Sequence, residues 1–369
     1  MFDNVGNKRW ALPAAAIVAL FCIVSLIAYP MMHAEPKELP IALVTLDEGM
    51  EGPTGAVNAG SALAEKLTEA TGSADDGDEP APLAWTELGS QAELDEALDD
   101  NAFYGALVIP ADFTASQAAA QADAGEASPV TVIVNQGKNP MAAQIVQQAL
   151  TAMVQAGGIT ANTEVINAAD IGGGSMSSMM AVQMTVMPTV MLTLVPTILL
   201  FFGFRPGKGA SRTQRFKAYG TQLGYGAVLS LAAACGAMLV VGAVGGLDIA
   251  AGTAIPFLWL ASFCLMALLL GAFNLCAPAG ALLAVVVVAG GMACAMLPPE
   301  MLPTLWADWI YPWVPQHFIG DGVRSIAYMN GSAWNDQCPP LAITGAVGLG
   351  LACIAGLLPT RKGTDAAEA

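Results

Sequence analysis

The sequence predicts a polytopic α-helical membrane protein, with six transmembrane helices and an α/β domain inserted outside the membrane after the first. Three observations carry this. Hydrophobic residues make up 55% of the chain and charged residues 12%, about half the charged share of an ordinary soluble domain. Six apolar runs are each long enough for a bilayer, which takes about 20 mostly apolar residues to cross. Nine of the 13 Lys and Arg residues fall in three places: Lys8 and Arg9 before the first run, five between Arg205 and Lys217, and Arg361 and Lys362 after the last. Basic residues collect on the cytoplasmic side of membrane helices, so both termini read as cytoplasmic. Lys37, Lys66, Lys138 and Arg324 are scattered over the segments this places outside.

Residues 1–30 hold the cytoplasmic N-terminus and the first helix, Trp10 to Tyr29. A cleaved secretory signal is the alternative, with Met32-His33-Ala34 as its cleavage site. The run is too long for that, and Met is too large at the first position of a small-x-small site.

Residues 31–178 form the inserted domain, large enough to bury its own core. It carries 22 acidic and 3 basic residues, a net of −19. That balance argues against nucleic acid, whose phosphates demand Lys and Arg, and reads as a solvated surface. Short, largely β-branched apolar runs bounded by turn formers predict strands at Ile41–Leu46, Tyr104–Ile109 and Val130–Val134. Helices are expected at Val57–Ala70, from a capping box at Ser90-Gln-Ala-Glu93 through Leu98, at Phe113–Ala124, and from Met141 to about Ala169. Alternation of this kind predicts a largely parallel sheet. Gly72 to Pro82 reads as an acidic loop, and Ile171-Gly-Gly-Gly-Ser175 as a hinge into the membrane.

Residues 179–358 supply five more spans, at about Met179–Phe204, Leu223–Gly246, Ala254–Leu275, Ala279–Leu297 and Leu341–Leu358. Asn274 to Pro278 is a very short inner turn, and Leu247 to Gly252 a short outer one. An outer segment, residues 298–340, carries Trp306, Trp309, Tyr311, Trp313 and Trp334. Trp and Tyr favour the membrane boundary, so an interfacial or re-entrant hairpin is expected. Asp321 and Arg324 are spaced for an i,i+3 pair. Residues 359–369 form a cytoplasmic tail.

The strings Leu39-Pro-Ile-Ala-Leu-Val-Thr-Leu-Asp-Glu-Gly49, Phe103-Tyr-Gly-Ala-Leu-Val-Ile-Pro-Ala-Asp-Phe-Thr114 and Val132-Ile-Val-Asn-Gln-Gly137 with Asn139, in that order after a first span, resemble the phage infection protein (YhgE/Pip) family of ABC-2-type membrane proteins. The resemblance extends through Gly60, Leu63, Leu67 and Trp85 and over the five later spans. It implies an ABC-2 permease-like exporter subunit that moves an amphiphilic substrate or cell-envelope component outward. Such subunits pair as homodimers or heterodimers and couple to a cytosolic ATPase. The same family holds phage-infection and type VII secretion components, so a surface receptor or secretion scaffold is the rival. The nine residues before Trp10 are short for the amphipathic elbow of many relatives, and the inserted domain is smaller than theirs.

No ATPase is expected in this chain itself. Gly203-Phe-Arg-Pro-Gly-Lys208 has the wrong spacing for a phosphate-cradling loop and is followed by Gly209. The loop from Arg205 to Tyr219, with Arg212, Arg215, Phe216 and Lys217, is the one sizeable inner segment. The resemblance makes it the place where an ATPase would dock, basic side chains around aromatic anchors; fixing topology and meeting anionic headgroups is its minimal role. Met176, Met180, Met184, Met187 and Met191 mark one face of the second span, a packing face or an adaptable wall of a pathway. In the resembled fold Trp306, Trp309, Tyr311 and Trp313 would close the outer mouth. Cys22, Cys235, Cys264, Cys294 and Cys353 lie in apolar runs, Cys276 at the inner turn, and Cys338 outside, where it could cross-link a dimer. No Cys or His spacing suits a metal. His33 and His317 are isolated, so neither enzymatic activity nor a cofactor is expected.

Overall fold

The structure, a computed structural model, describes residues 11–52, 55–72, 80–168, 180–207 and 209–358. They divide into two compact units: a helical one of residues 11–33, 180–296 and 304–358, and a sheet unit of residues 34–168 with 297–303. The chain enters through α1 (Ala11–Met32). Lys8, Arg9 and Trp10, the acidic stretch 73–79, the proposed hinge 171–175, Met176 and the tail 359–369 lie outside the described residues.

The sheet unit runs β1 (Leu39–Thr45), β2 (Met50–Gly52), β3 (Gly55–Val57), α2 (Ala59–Gly72), β4 (Leu83–Leu88), α3 (Gln91–Asp99), β5 (Gly105–Ile109), α4 (Phe113–Gln121), β6 (Val130–Asn135), α5 (Pro140–Ala156) and β7 (Ala161–Ile166). Five strands form one sheet in the order β4-β1-β5-β6-β7, and β2 pairs with β3 in a separate antiparallel hairpin. All five residues of the central β5 are buried. Ala106 and Val108 point with Ala42 and Val44 towards Leu94 and Leu98 of α3. The alternate residues Leu107, Ile109, Ile41 and Leu43 face the other way, the side on which α5 brings Val146 against Gly105.

Two expectations are corrected here. The sheet is parallel except between β5 and β6, which are antiparallel. α4 packs mainly against α2, so the chain enters β6 at the end where it left β5. The helix expected to reach about Ala169 stops at Ala156. Gly157-Gly158 ends it, Gly158 taking φ +72°, and β7 follows as an edge strand parallel to β6. β7 is mostly exposed, with no apolar run to announce it, and only the β-branched Thr163, Val165 and Ile166 favour a strand.

In the helical unit follow α6 (Ala181–Phe204), α7 (Arg212–Ala243), α8 (Ala251–Leu275), α9 (Ala277–Met296), α10 (Pro315–Tyr328) and α11 (Cys338–Leu357). Among the described residues, α6, α7, α8, α9 and α11 are long and apolar enough to cross a membrane, and the apolar part of α1, Phe21–Met32, is shorter. α8 is the central helix, buried on nearly every side from Ala254 to Phe273. The others turn large apolar side chains outward: Phe21, Leu199, Val228, Leu239 and Ile343 are each about two-thirds exposed. Soluble surfaces do not carry such patches all round; a bilayer requires them.

Helix packing follows the small residues. At the crossing of α8 and α11, a Cβ on Gly271 would lie 2.1 Å from the Gly348 carbonyl, and one on Gly348 2.3 Å from Ala267 backbone. The two backbones touch, which is how apolar helices gain contact when no water drives them together. α8 and α9 are joined through Cys276 alone, a tighter turn than the expected Asn274–Pro278. There Asn274 Nδ2 donates to Gln222 Oε1 at 2.6 Å and to Leu270 O at 2.8 Å.

Candidate functional site

α6 has two contrasting faces. Thr185, Thr189, Thr193 and Thr197 are wholly buried. Each hydroxyl donates to the carbonyl four residues back, at 2.7–2.8 Å. Satisfied within their own helix, they bury a polar stripe at no cost in unpaired groups. Met180, Met184 and Met187 are 38–50% exposed and Met191 is half-buried. The methionines are therefore not the buried packing face; the threonines are. The signal was present at the same four-residue spacing in the same helix, and the more apolar side chain hid it.

α10 is only 14 residues long, yet almost all of it is buried, against α6, α8 and α9. It carries the polar groups of the helical interior. Gln316 Nε2 donates to Val287 O inside a π-helical turn of α9, Val286–Gly290. Val287 O also accepts the Gly291 N–H, so the Gln316 amide takes the carbonyl's second lone pair. It can do so because residue 291 is glycine: a Cβ there would sit 2.4 Å from the Gln316 amide carbon. Arg324 donates to Asp321, the pair the spacing predicted, and to Ala295 O at 3.1 Å in the last turn of α9, where carbonyls lack helical partners. α10 thus pins this half of α9 at two points.

The aromatic residues split. Trp306 is buried and stacks on Tyr29 of α1, which stacks on His33. Tyr311 stacks on His317 at 4.2 Å. Trp309 is 73% exposed, and Trp313 is exposed with its indole N–H on Trp309 O. Cys338, expected outside as a possible cross-linking thiol, is buried at the first turn of α11, where a second chain cannot reach it.

Near the end of α6 and the start of α7, residues Arg212 to Tyr219 of the basic segment lie on a helix, the first turns of α7 itself. Ser211 and Gln214 make a reciprocal capping box, so α7 is already helical at Arg212. Arg215 donates to Ala355 O at 3.1 Å and Leu358 O at 2.6 Å, satisfying carbonyls at the end of α11 with a cation, the charge a helix C-terminus favours. The Phe216 ring lies against Gly356, and Tyr219 is buried with Ala352 and Ala355. Three of the six loop residues therefore clasp α11. Arg205, Arg212 and Lys217 remain exposed, Arg205 lying over the Phe202 ring at 5.9 Å.

An open groove of about 420 Å³ runs between α1, α6, α8 and α9, lined only by apolar side chains, among them Ile23, Ile198, Phe202, Phe273, Ala281 and Val288. Nothing in it could orient a polar ligand.

In the sheet unit, neighbouring β1 and β5 send their connections to opposite sides, the place where open α/β sheets bind ligands. Here the chain's own Asp47 fills it. The carboxylate accepts from Thr114 N–H at 3.0 Å, Gly60 N–H at 2.9 Å, Gly49 N–H at 3.4 Å and the Thr114 hydroxyl. Burial alone would raise its pKa, but these hydrogen bonds together hold it below the ordinary value of 3.8. The donors that could bind an anion are taken. Elsewhere in this unit, the Glu300 carboxylate accepts from Tyr104 Oη at 3.1 Å and its backbone carbonyl from Lys37 N–H at 2.9 Å, and Lys138 lies over the Tyr104 ring at 4.8 Å. Among the described residues, no three His, Cys, Asp or Glu side chains group as metal ligands do.

A family model described as ABC-2 family transporter protein matches residues 14–357. That is most of the chain. The protein belongs to the ABC-2 transporter family. No curated protein matches it significantly. As an ABC-2 transporter family protein it is a multi-pass membrane protein of the permease type, and such proteins typically work with a cytosolic ATPase. The apolar exteriors of α6, α7, α9 and α11 around a buried and equally apolar α8 are what that membership requires.

Proposed function

We propose that this chain is the membrane subunit of an ABC-2-type exporter that moves an amphiphilic substrate or envelope component outward, driven by a separate cytosolic ATPase. The observation that carries the reading is the family match over residues 14–357. In this reading α1 is a sixth span, both termini are cytoplasmic and the sheet unit lies outside, as the basic residues at 8–9, 205–217 and 361–362 favour. The strings Leu39–Gly49, Phe103–Thr114 and Val132–Gly137 support a place near the phage infection proteins. The exposed methionines of α6 and the all-apolar groove suit a substrate with an acyl or other apolar part. No residue of this chain is given a catalytic role.

The ATPase contact falls to Arg205, Arg212 and Lys217, since Arg215, Phe216 and Tyr219 are engaged with α11. Arg212→Glu with Lys217→Glu is expected to abolish co-purification of a cytosolic ATPase while membrane insertion persists. Lys8, Arg9, Arg361 and Lys362 remain to hold the orientation. If no ATPase accompanies the unmutated protein in gentle detergent, the exporter reading fails and the receptor or scaffold reading takes its place.

A further inference from the structure

We infer that the outer face of α5 is where the sheet units of two copies of this chain meet. This rests on reading the chain as a membrane subunit that works as a pair, and adds which surface of the sheet unit pairs. Residues 139–163 are the longest stretch of the unit without a charged side chain, in a segment of net charge −19. α5 fills most of that stretch. Ala142, Ala143, Val146, Leu150 and Val154 are buried on its inner side. Its outer side carries Gln144, Gln147, Gln148, Thr151, Ala152 and Gln155, which line a shallow depression that no other element walls or covers.

Charge and chemistry both select a second copy as the occupant. Two units this acidic repel wherever carboxylates face each other, and a charge-free helix face removes that repulsion where it is greatest, at contact. A basic partner would find no carboxylate on this face to pair with, and a purely apolar one would bury amides without partners. A glutamine side chain offers two donors and an acceptor. A row of them on one face is therefore complementary to the same row turned by a two-fold axis, as an isologous interface demands. Solvated helix faces are ordinarily charged; this one carries four glutamines instead.

The test uses the full chain in lipid nanodiscs. Gln148→Cys, at the middle of the face, is expected to form a disulfide-linked dimer under mild oxidation, above the level the native cysteines give. Glu96→Cys, exposed on α3, is expected to stay monomeric on gels. Adding Gln144→Glu and Gln155→Glu to Gln148→Cys should reduce cross-linking about tenfold, the effect of about 1.4 kcal/mol of repulsion. Single-molecule photobleaching of the same samples counts chains independently. Dimers by photobleaching without cross-links from cysteines at 144, 148 or 155 would overturn this surface and leave the membrane-subunit reading standing. Chains that are single by photobleaching would overturn both, and an adduct to a different protein would overturn self-pairing.

Discussion

Asp47 and Arg215 show how a charged side chain can look like a binding residue and serve the fold instead. Asp47 ties the starts of α2 and α4 to the end of β1. Asp47→Ala would leave the N–H groups of Gly60 and Thr114 without their acceptor, at about 1–3 kcal/mol for each donor so orphaned. The pH dependence has a definite sign. The folded carboxyl titrates below its ordinary value of 3.8, so its stabilisation is complete above that value and is lost as pH falls through the lower folded one. Melts of a soluble fragment of residues 35–168 should therefore show an acid-side decline that is shallower in Asp47→Asn. Equal slopes would mean that the hydrogen bonds do not set this titration. Arg215 is testable by hydrogen exchange: Arg215→Ala should speed exchange in the last turn of α11, where the guanidinium holds the carbonyls of Ala355 and Leu358, while Lys217→Ala leaves it unchanged.

The elements were legible in the sequence where one pattern dominated. β1, β5 and β6 lie where apolar, largely β-branched runs predicted them, and the apolar lengths located α6, α8, α9 and α11 to within a few residues. What escaped had a weak or ambiguous pattern. β4 and β7 are edge strands, the first half-exposed and the second mostly exposed, with polar residues interspersed, and α10 mixes Gln, His, Asp and Arg with glycine, so hydropathy does not betray that it is buried. The threonine stripe escaped because its partners are its own helix's carbonyls. Two substitutions probe the elements that were legible. Leu107→Asp puts a carboxyl in the middle strand, buried on both faces. It should cost several kcal/mol against a total stability of about 5–15 kcal/mol, enough to abolish the cooperative melt of the 35–168 fragment. A parent-like melt would mean β5 is not the centre of the core. Gly348→Val would drive a branched side chain into the Ala267 backbone. By the cost of overpacking it should destabilise the α8–α11 crossing by about 1–3 kcal/mol or more, read as a lower melting temperature of the full chain in detergent. Gly350→Val in the same helix meets open space and should be tolerated.

At the scale of the whole molecule, charge decides which way the chain is threaded. The bundle's apolar exterior requires that helices cross the membrane but not in which direction; direction is set by charge. Five basic residues crowd residues 205–217, while residues 31–178 are strongly acidic. Basic residues near span ends set orientation, and acidic ones contribute little, so the 205–217 cluster should be cytoplasmic whatever the acidic unit prefers. Single cysteines in a cysteine-less background test this directly. Glu96→Cys in the sheet unit and Ser332→Cys between α10 and α11, both exposed, should react with a membrane-impermeant maleimide on intact cells. Ser211→Cys, at the start of α7 and also exposed, should react only after lysis. Labelling of Ser211→Cys with protection of the other two would invert the chain. It would also put the acidic sheet unit where the ATPase must dock, leaving Arg205, Arg212 and Lys217 on the wrong side to meet it. Labelling of Glu96→Cys and Ser211→Cys together on intact cells would instead put both on one side, with an even number of crossings between them. α6, the one membrane-length helix described between those two positions, would then not cross the membrane, and the five-span reading of residues 179–358 would fail.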